Sequence, residues 1–245
     1  MTPAFVDCHS HVVPSGDDGA QNLVEGLELC EQAARTGTEV LYATPHVSPL
    51  LPLTAAREDA IRAAFEQLRE SVPLELRLGY ELTPMPSLLR ERPERYLLEA
   101  TDLVLVEVPF LGPPHELLAV AEHIESAGLV PLIAHPERTE AVRSDPALPA
   151  RLVERGWPLQ VNATSLLGLH RPEAEVLGWK LVEKGLAKIV ASDGHRATRP
   201  PRLDEAYAVA VERLGEEAAL PLFDGTALEL RGWTPTPSRA AARDA

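Results

Sequence analysis

The chain has little lysine, few aromatic residues, no excess of positive charge and no long hydrophobic run. Only 3 of its 23 basic residues are lysine, namely Lys180, Lys184 and Lys188, and its formal net charge is −14. A balance this acidic argues against nucleic-acid binding, which needs a basic surface, and against an anionic membrane surface. No apolar run approaches the roughly 20 residues of a membrane span, and no basic, apolar leader opens the chain. We therefore expect a cytoplasmic protein with no nucleic-acid partner and no membrane insertion.

Cysteine is also scarce, because Cys8 and Cys30 are the only two in the chain. Two cysteines are too few for a disulfide scaffold, and they show no CxxC spacing that would indicate a redox or zinc site. We expect both thiols to pack as small apolar groups.

The composition is otherwise that of a globular protein, with 245 residues of which 45% are hydrophobic and 24% charged. Seven short apolar runs read as strands: AFVDCHS, EVLYATPH, LELRLGYEL, DLVLVEVPF, LVPLIAHPER, WPLQVNATS and AKIVASDGH. Helical patterns between and after them predict helices over 22–37 and about 54–71, 116–127, 173–184 and 203–214. This alternation predicts an α/β fold with parallel strands in a closed or nearly closed barrel. We expect one domain over residues 1–230 and a loosely ordered tail over 231–245, where periodicity ends.

Polar side chains stand at the end of every one of these runs. In a parallel barrel the carboxyl ends of the strands hold the catalytic residues. One buried polar residue is explained by a hydrogen bond beneath a loop, but seven strand ends in succession are harder to explain that way. Glu and Asp are almost never fully buried unless they are paired or bind a metal. The candidate ligands are His9, His11, His46, Glu81, Glu107, His135, Asp193 and His195, with Asn162 at the remaining strand end.

Two spacings support a metal site. Residues i and i+2 of a strand share a face, so His9 and His11 project together, as Asp193 and His195 do if their strand extends that far. Imidazole and carboxylate ligands suit Zn, Mn or Fe, and the absence of nearby cysteine argues against a structural zinc site. The candidates exceed the needs of one ion, which indicates two or three metals of the kind that clamp phosphate oxygens. The turn PSGDDG brings back Asp17 or Asp18 to complete the site, and spacing does not decide between them.

Together these motifs resemble the PHP family of metal-dependent phosphoesterases, and most closely its bacterial branch of tyrosine-protein phosphatases encoded with capsule and exopolysaccharide genes. The resemblance covers roughly residues 5–201 and rests on DCHSHVVPSGDDGA, YATPHV, GYEL, LVEVPF, LIAHPERT, LQVNATSLLG and ASDGHRATRPPRL. It implies a distorted (β/α)7 barrel with usually three divalent metals, often manganese, and phosphate-contacting arginines at Arg138 and Arg199. The metal ligands that it implies are His9, His11, Asp18, His46, Glu81, Glu107, His135, Asp193 and His195.

The activity implied is hydrolysis of phosphotyrosine on protein, with a cytoplasmic tyrosine kinase of polysaccharide export as the expected substrate. In such a site a metal lowers the pKa of bound water to about 7 and supplies hydroxide for in-line attack on phosphorus. A phenolate with a pKa near 10 leaves without strong acid help, and no acid is assigned. The cysteine-dependent route to tyrosine dephosphorylation is excluded. Its C-x5-R loop ends in an arginine, and counted from Cys8 and Cys30 that position holds Pro14 and Thr36.

Three other functions stay open on the sequence. A PHP phosphatase for a small metabolite, such as histidinol phosphate, would share the site but not the pocket. A non-catalytic PHP module would have lost ligands, and none of the nine is missing. A metal-dependent amidohydrolase such as a deaminase would bring a lysine from mid-barrel, where this chain has none.

Outside the site, we expect His115, His123 and His170 to have surface or hydrogen-bonding roles. Asn162 and Ser165 either orient the ligands or satisfy ordinary hydrogen bonds.

Overall fold

Parallel strands alternate with helices along the computed structural model, which describes residues 3–229. The predicted tail over 231–245 lies outside the described residues. In chain order the strands are β1 Phe5–Ser10, β2 Thr38–Ala43, β3 His46–Val47, β4 Glu75–Leu78, β5 Glu81–Leu82, β6 Leu103–Glu107, β7 Val130–Ala134, β8 Leu159–Asn162 and β9 Ala187–Ala191.

Each of the five predicted helices is present. The described α-helices are α1 Leu23–Arg35, α2 Ala55–Arg69, α3 His115–Ser126, α4 Glu140–Ser144, α5 Leu148–Glu154, α6 Ala163–Leu166, α7 Pro172–Glu183, α8 Asp204–Leu214 and α9 Glu216–Ala219. Side chains that accept a backbone N–H begin α1 and α2: Asn22 accepts from Glu25 at 3.0 Å and Thr54 from Arg57 at 3.2 Å. The prediction omitted α4, α5, α6 and α9, which have seven residues or fewer and so are too short to show a helical period.

The prediction of unbroken second and third strands is wrong. EVLYATPH is divided into β2 and β3 around Pro45, and LELRLGYEL is divided into β4 and β5 at Gly79. Proline cannot donate to the strand ladder. Gly79 packs so closely on Leu98 that a Cβ there would lie 2.4 Å from the Leu98 Cδ2 atom. The two breaks lie side by side, and the Gly79 N–H still donates to the Ala43 carbonyl at 2.9 Å. Each of these two predicted strands is therefore interrupted by a kink but still occupies one strand position in the barrel.

When β2 with β3 and β4 with β5 are each counted as one position, the nine described strands form a closed ring of seven. The pairing orders are β1-β2-β4 and β3-β5-β6-β7-β8-β9, and all pairs are parallel. The ring closes because the Asp193 N–H donates to the His9 carbonyl at 2.9 Å and the His11 N–H donates to the Gly194 carbonyl at 2.7 Å. The structure thus confirms the predicted (β/α)7 barrel.

Two apolar clusters support this ring. The smaller one takes alternate residues from five strands and none from an α-helix, so it fills the inside of the barrel; it contains Val6, Cys8, Val40, Tyr42, Leu98, Leu103, Leu105, Leu132, Ala134, Ile189, Ala191 and Leu228. The larger one joins the outer faces of the strands to the helices and includes Cys30. Both cysteines are fully buried and free, as expected, and burial raises the pKa of the Cys30 thiol to about 12.

Among residues 3–229, no helix has both the length and the apolar character needed to cross a membrane.

Candidate metal centre

Seven of the nine predicted ligands converge at the carboxyl ends of the strands. They form three overlapping groups, and within each group one nitrogen or oxygen of every member lies within 4.8 Å of the others. His9 and His11 each belong to two groups, so the groups make one continuous cluster. The groups are His11, His46 and His195; His9, Glu81 and His135; and His9, His11 and Asp193.

Turns, rather than strand alternation, bring several of these side chains together. β1 ends at Ser10 and β9 ends at Ala191, so the alternation considered for Asp193 and His195 does not apply. Asp193 has a left-handed backbone with φ +51°, and His135 has φ +35°. Asp is enriched in this conformation, which sharply redirects the chain at the mouth of the barrel.

Two glycines let the loops pack closely enough to complete the cluster. A Cβ on Gly19 would lie 2.3 Å from the His11 carbonyl oxygen, and a Cβ on Gly194 would lie 2.6 Å from the backbone of Pro201. The Ala20 N–H also donates to the His11 carbonyl at 2.9 Å. The DDGA segment is therefore folded back onto His11, as the PSGDDG turn predicted.

Glu81 occupies the middle of the cluster. Its Oε2 atom lies 3.2 Å from His9 Nε2, 3.4 Å from His11 Nε2 and 2.9 Å from His46 Nδ1, and its Oε1 lies 2.8 Å from His135 Nε2. Although Oε2 is buried among three imidazole nitrogens, it accepts no hydrogen bond. An anionic oxygen buried among three imidazole nitrogens has the surroundings of a metal ligand.

The adjacent aspartates have different surroundings. The exposed side chain of Asp18 places Oδ1 3.1 Å from His195 Nε2 and 3.5 Å from His46 Nε2. The buried side chain of Asp17 lies 3.4 Å from His11 Nδ1, and it accepts the N–H groups of Gly19 at 3.0 Å and His46 at 3.2 Å. Asp18 thus faces the cluster, whereas Asp17 supports the loop and the far side of His11.

Glu107 lies at the edge of this arrangement and belongs to none of the three groups. It stands at the end of β6 and accepts a hydrogen bond from Thr83 Oγ1. Burial and the negative charge of Glu81 raise its pKa to about 7. The structure therefore places Glu107 near the cluster but does not bring it into contact with the histidines.

A chain of amides supports the cluster from within β8. His9 Nδ1 donates to Gln160 Oε1 at 3.0 Å, Gln160 Nε2 donates to Asn162 Oδ1 at 2.8 Å, and Asn162 Nδ2 donates to Asp193 Oδ2 at 2.7 Å. The proton on His9 Nδ1 leaves the Nε2 lone pair facing the cluster. Asn162 thus donates to a predicted ligand, as an orienting role would require, whereas Ser165 donates instead to Glu137 at 2.7 Å. Sequence reasoning missed Gln160, whose only signal is its place two residues before Asn162 on the same strand face.

The charges within the cluster compensate one another. Burial alone would lower the pKa of His46, but Glu81 and Asp18 outweigh it and raise that pKa to about 10. Burial likewise opposes ionisation of Asp193, yet the facing His9 and His11 hold its pKa well below the ordinary value. The Asp193 carboxylate is therefore anionic at neutral pH, and metal binding would displace protons from the histidines.

Both predicted arginines border Asp193. Arg138 Nη1 donates to Asp193 Oδ2 at 2.8 Å, and Arg199 Nη1 lies 3.4 Å from the same oxygen. Arg199 also contacts His195 Nδ1. The ring of Phe110 stacks on His135 with a centroid distance of 5.5 Å, and the Arg138 guanidinium lies 4.9 Å from the Phe110 centroid. The mouth of the site is thus basic and aromatic.

The three other histidines considered lie outside the cluster. His115 is exposed at the start of α3, and His123 Nε2 lies 2.9 Å from the Glu91 carbonyl. His170 is half-buried, and its Nε2 lies 2.8 Å from Thr164 Oγ1. Burial and the nearby Arg138 and Arg199 lower its pKa to about 4, so His170 is neutral at physiological pH.

Comparison with known proteins agrees with the geometry. The tyrosine-protein phosphatase YwqE of Bacillus subtilis (strain 168) is 32% identical over 94% of this chain and 93% of its own. A structure described as that of YwqE from Bacillus subtilis and CpsB from Streptococcus pneumoniae, unique metal-dependent tyrosine phosphatases, superposes with a TM-score of 0.82 at 30% identity, covering 94% of this chain and 96% of the other. D-hydantoinase shares the fold alone, with a TM-score of 0.57 at 14% identity over 92% of this chain and 70% of its own.

The family assignment follows from the extent of these matches. The sequence model described as "Capsular polysaccharide synthesis, CpsB/CapC" matches residues 5–230, which is nearly the whole chain. This confirms the resemblance inferred from the motifs. The chain belongs to the CpsB/CapC family of capsular polysaccharide synthesis.

Proposed function

We propose that this chain is a metal-dependent phosphatase that hydrolyses phosphotyrosine on protein. The observation that carries the proposal is the buried cluster of imidazoles and carboxylates around Glu81. Relatives and a superposable structure named tyrosine-protein phosphatases support the substrate class. The alternative substrate considered from the sequence, a small metabolite such as histidinol phosphate, is not favoured by these relatives.

The residues present fit a metal cluster. Glu81 Oε2 and His135 Nδ1 are buried without a hydrogen-bond partner, and the donors are the nitrogen and carboxylate ligands that suit Mn, Fe or Zn. We infer two or three divalent ions, with manganese expected. Held there, they would supply positive charge to phosphate oxygens and lower the pKa of water. The ligands proposed are His9, His11, Asp18, His46, Glu81, Glu107, His135, Asp193 and His195.

Arg138 and Arg199 are the groups proposed to orient the phosphate. Each guanidinium places one nitrogen within 3.4 Å of Asp193 Oδ2 and remains partly exposed, so its other donors can turn to a ligand. A guanidinium fork matches phosphate oxygens better than a lysine ammonium does. Arginines at this border also offset the overall negative charge of the protein for an anionic substrate.

No general acid is needed for the proposed leaving group. Phenolate has a pKa near 10, well below that of an alkoxide, so the bond to phosphorus breaks without a proton donor at the ester oxygen. This expectation distinguishes aryl phosphates from the alkyl phosphate esters of serine, threonine and metabolites. The protein substrate that we propose is a tyrosine kinase of polysaccharide export, as the motif resemblance implies.

Phosphate release from a tyrosine-phosphorylated peptide, measured with and without Mn²⁺, tests the proposal. We choose Asp193→Asn as the inactivating variant, because asparagine also adopts the left-handed backbone that Asp193 requires. Asp59→Asn, at an exposed position on α2, is the matched control. We expect manganese-dependent release that disappears in the first variant and persists in the second.

Histidinol phosphate serves as the competing substrate in the same assay. Turnover of this alkyl phosphate far above that of the peptide would overturn the proposed substrate class while leaving the metal site intact. No hydrolysis of either substrate by protein with bound metal, measured by elemental analysis, would overturn the enzymatic proposal.

A further inference from the structure

A cleft adjoins the candidate metal centre at one side of the barrel mouth. Its volume is about 690 Å³, and its walls include Phe110, Leu111, Arg138, Arg143, His170 and Arg171. Arg138 contacts Asp193 on one side and lines the cleft on the other. Phe110 similarly stacks on His135 while it forms a wall of the cleft. The cleft and the metal cluster therefore adjoin each other, with Phe110 and Arg138 at the boundary between them.

The wall next to the metal centre is apolar and accessible. Phe110 is 44% exposed and Leu111 is 77% exposed, which is unusual for large hydrophobic side chains of this protein. A phenyl ring that extended from a phosphate at the cluster into the cleft would pass Phe110, which contacts both. Aromatic pairs contribute beyond the apolar area that they bury, so this wall suits an aryl group.

The far wall carries positive charge that the described chain does not neutralise. Arg143 and Arg171 are both exposed, and neither makes an ion pair with a carboxylate among residues 3–229. Arg143 Nη1 donates instead to the Arg138 carbonyl at 3.4 Å, and its side chain lines the cleft. Unpaired arginines are notable in a protein with a net charge of −14.

The first turn of α7 adds to this charge. This helix has 12 residues, and its residues Glu173 and Ala174 line the cleft. No side chain caps its N-terminus, and because first-turn residues line the cleft, the positive end of the helix dipole lies beside it. The acidic side chains of this turn are Glu173 and Glu175. Glu173 is the one acidic side chain in the lining, and it opposes this field.

Building on the proposed function, we propose that this cleft binds the polypeptide next to the phosphotyrosine and selects an acidic side chain there. The aryl ring packs on Phe110, and a neighbouring Asp or Glu reaches Arg143 and Arg171. The cleft is far larger than a phosphate requires, and its basic wall is complementary to a carboxylate. The substrate class is thus a phosphotyrosine peptide with acidic flanking residues.

The test compares kcat/KM for peptides that share one phosphotyrosine core and differ only in their flanks, which are Asp, Ala or Lys on either side. For the unaltered enzyme with Mn²⁺, we expect kcat/KM for the acidic peptide to exceed that for the alanine peptide about tenfold, chiefly through KM. Two exposed ion pairs of ordinary strength give an effect of this size. The ratio of the two kcat/KM values is internal to each enzyme preparation, so partial misfolding does not change it.

Variants identify the side chains responsible. The double variant Arg143→Gln/Arg171→Gln should bring the acidic-to-alanine ratio close to one. Glu173→Gln should raise the ratio, because it removes the opposing charge. The matched control is Arg35→Gln/Arg69→Gln, at the C-terminal ends of α1 and α2, which removes the same charge from another part of the protein and should leave the ratio unchanged.

The outcomes separate this inference from the proposed function. Hydrolysis of p-nitrophenyl phosphate and of all peptides with equal kcat/KM would overturn the cleft inference alone. An equal fall of the ratio in the control double variant would also overturn it, because general charge would then explain the preference. Absence of hydrolysis of every substrate would overturn both the proposed function and this inference.

Discussion

The inner and outer halves of the candidate metal centre differ in how far their side chains are exposed to solvent. The inner half, which consists of His9, His11, Glu81, His135 and Asp193, is at most 3% exposed. The outer half consists of Asp18, His46 and His195, whose side chains are 72%, 22% and 8% exposed. The Gln160–Asn162 chain supports the inner half alone.

This difference indicates that the inner half mainly retains the metal and that the outer half mainly meets the substrate. Buried charges are tolerated only when they are paired and hydrogen-bonded, so the inner half must be organised before any ligand arrives. The outer half meets solvent beside Arg138 and Arg199, where a phosphate would enter. Substitutions in the inner half should therefore disturb metal retention, whereas those in the outer half should disturb activity with little effect on folding.

The largest effect is expected for Glu81→Gln. The change keeps the size of the side chain but removes the one negative charge that contacts four histidines. Loss of a hydrogen-bond partner of a metal ligand already lowers metal affinity or activity about 10- to 100-fold. For loss of a ligand itself we therefore expect activity to fall by more than about 100-fold, and metal content to fall with it. Elemental analysis together with kcat/KM measures both.

Glu137→Gln is the matched control for that variant. Glu137 is equally buried, but it accepts from Ser165 and from the Asn162 N–H rather than joining the cluster. Burial raises its pKa to about 7, so a neutral amide changes little, and we expect less than about a tenfold loss. Full metal content and activity in Glu81→Gln would contradict the central position assigned to Glu81.

The adjacent aspartates sharpen the comparison within one turn. Asp18→Asn should lower kcat/KM by about 10- to 100-fold and leave the melting temperature nearly unchanged, because the side chain is exposed. Asp17→Asn should destabilise the fold by about 1–3 kcal/mol, because Asp17 is a buried acceptor for Gly19 and His46 N–H groups. Thermal unfolding and kinetics on both variants check this, and the reverse pattern would refute the assignment of Asp18 to the cluster.

A smaller effect, on metal affinity, is expected for a substitution in β8, whose amide side chains hydrogen-bond to the inner half. Gln160→Ala removes the acceptor for His9 Nδ1 and frees the imidazole to rotate or change tautomer. We expect about a tenfold loss of metal affinity, measured by titration of the metal-free protein. Gln67→Ala, an exposed glutamine on α2, controls for the substitution itself. Unchanged affinity in Gln160→Ala would show that packing alone orients His9.

The inner half was the easier one to predict from the sequence. Its residues follow strong apolar runs, and the β/α alternation puts the ends of those runs at one mouth of the barrel. Gln160 escaped prediction because a polar residue inside a strand has no distinctive local pattern. Its role depends on His9, which lies 151 positions away in the chain. The kinks at Pro45 and Gly79 were missed for a similar reason, since Gly79 responds to the distant Leu98.

The outer half depends on loop geometry that spacing cannot supply. Spacing alone left Asp17 and Asp18 as alternatives and the motif resemblance favoured Asp18; the loop that folds back on His11 directs Asp18 toward His46 and His195. The sequence predicted only a surface or hydrogen-bonding role for His170, and its approach to Arg138 and Arg199 depends on residues far away in the chain. Local pattern thus predicts which residues bind, and tertiary approach decides which residues support them.

The smallest expected effect concerns that same histidine at the outer edge. Burial and the two arginines lower the pKa of His170 from 6.5 to about 4. Between these values the unfolded chain takes up a proton at this position and the folded chain does not, so stability present above pH 6.5 is lost as the pH falls toward 4. His170→Gln removes this titration and should flatten the pH dependence of the unfolding free energy by less than about 1 kcal/mol, since the side chain is only half-buried. Urea unfolding at pH 7 and pH 5 measures the slope, with His115→Gln as the control for loss of one histidine. An unchanged slope in His170→Gln would mean that the arginines at the mouth do not act on His170, and that the outer half is more strongly screened by solvent than its geometry indicates.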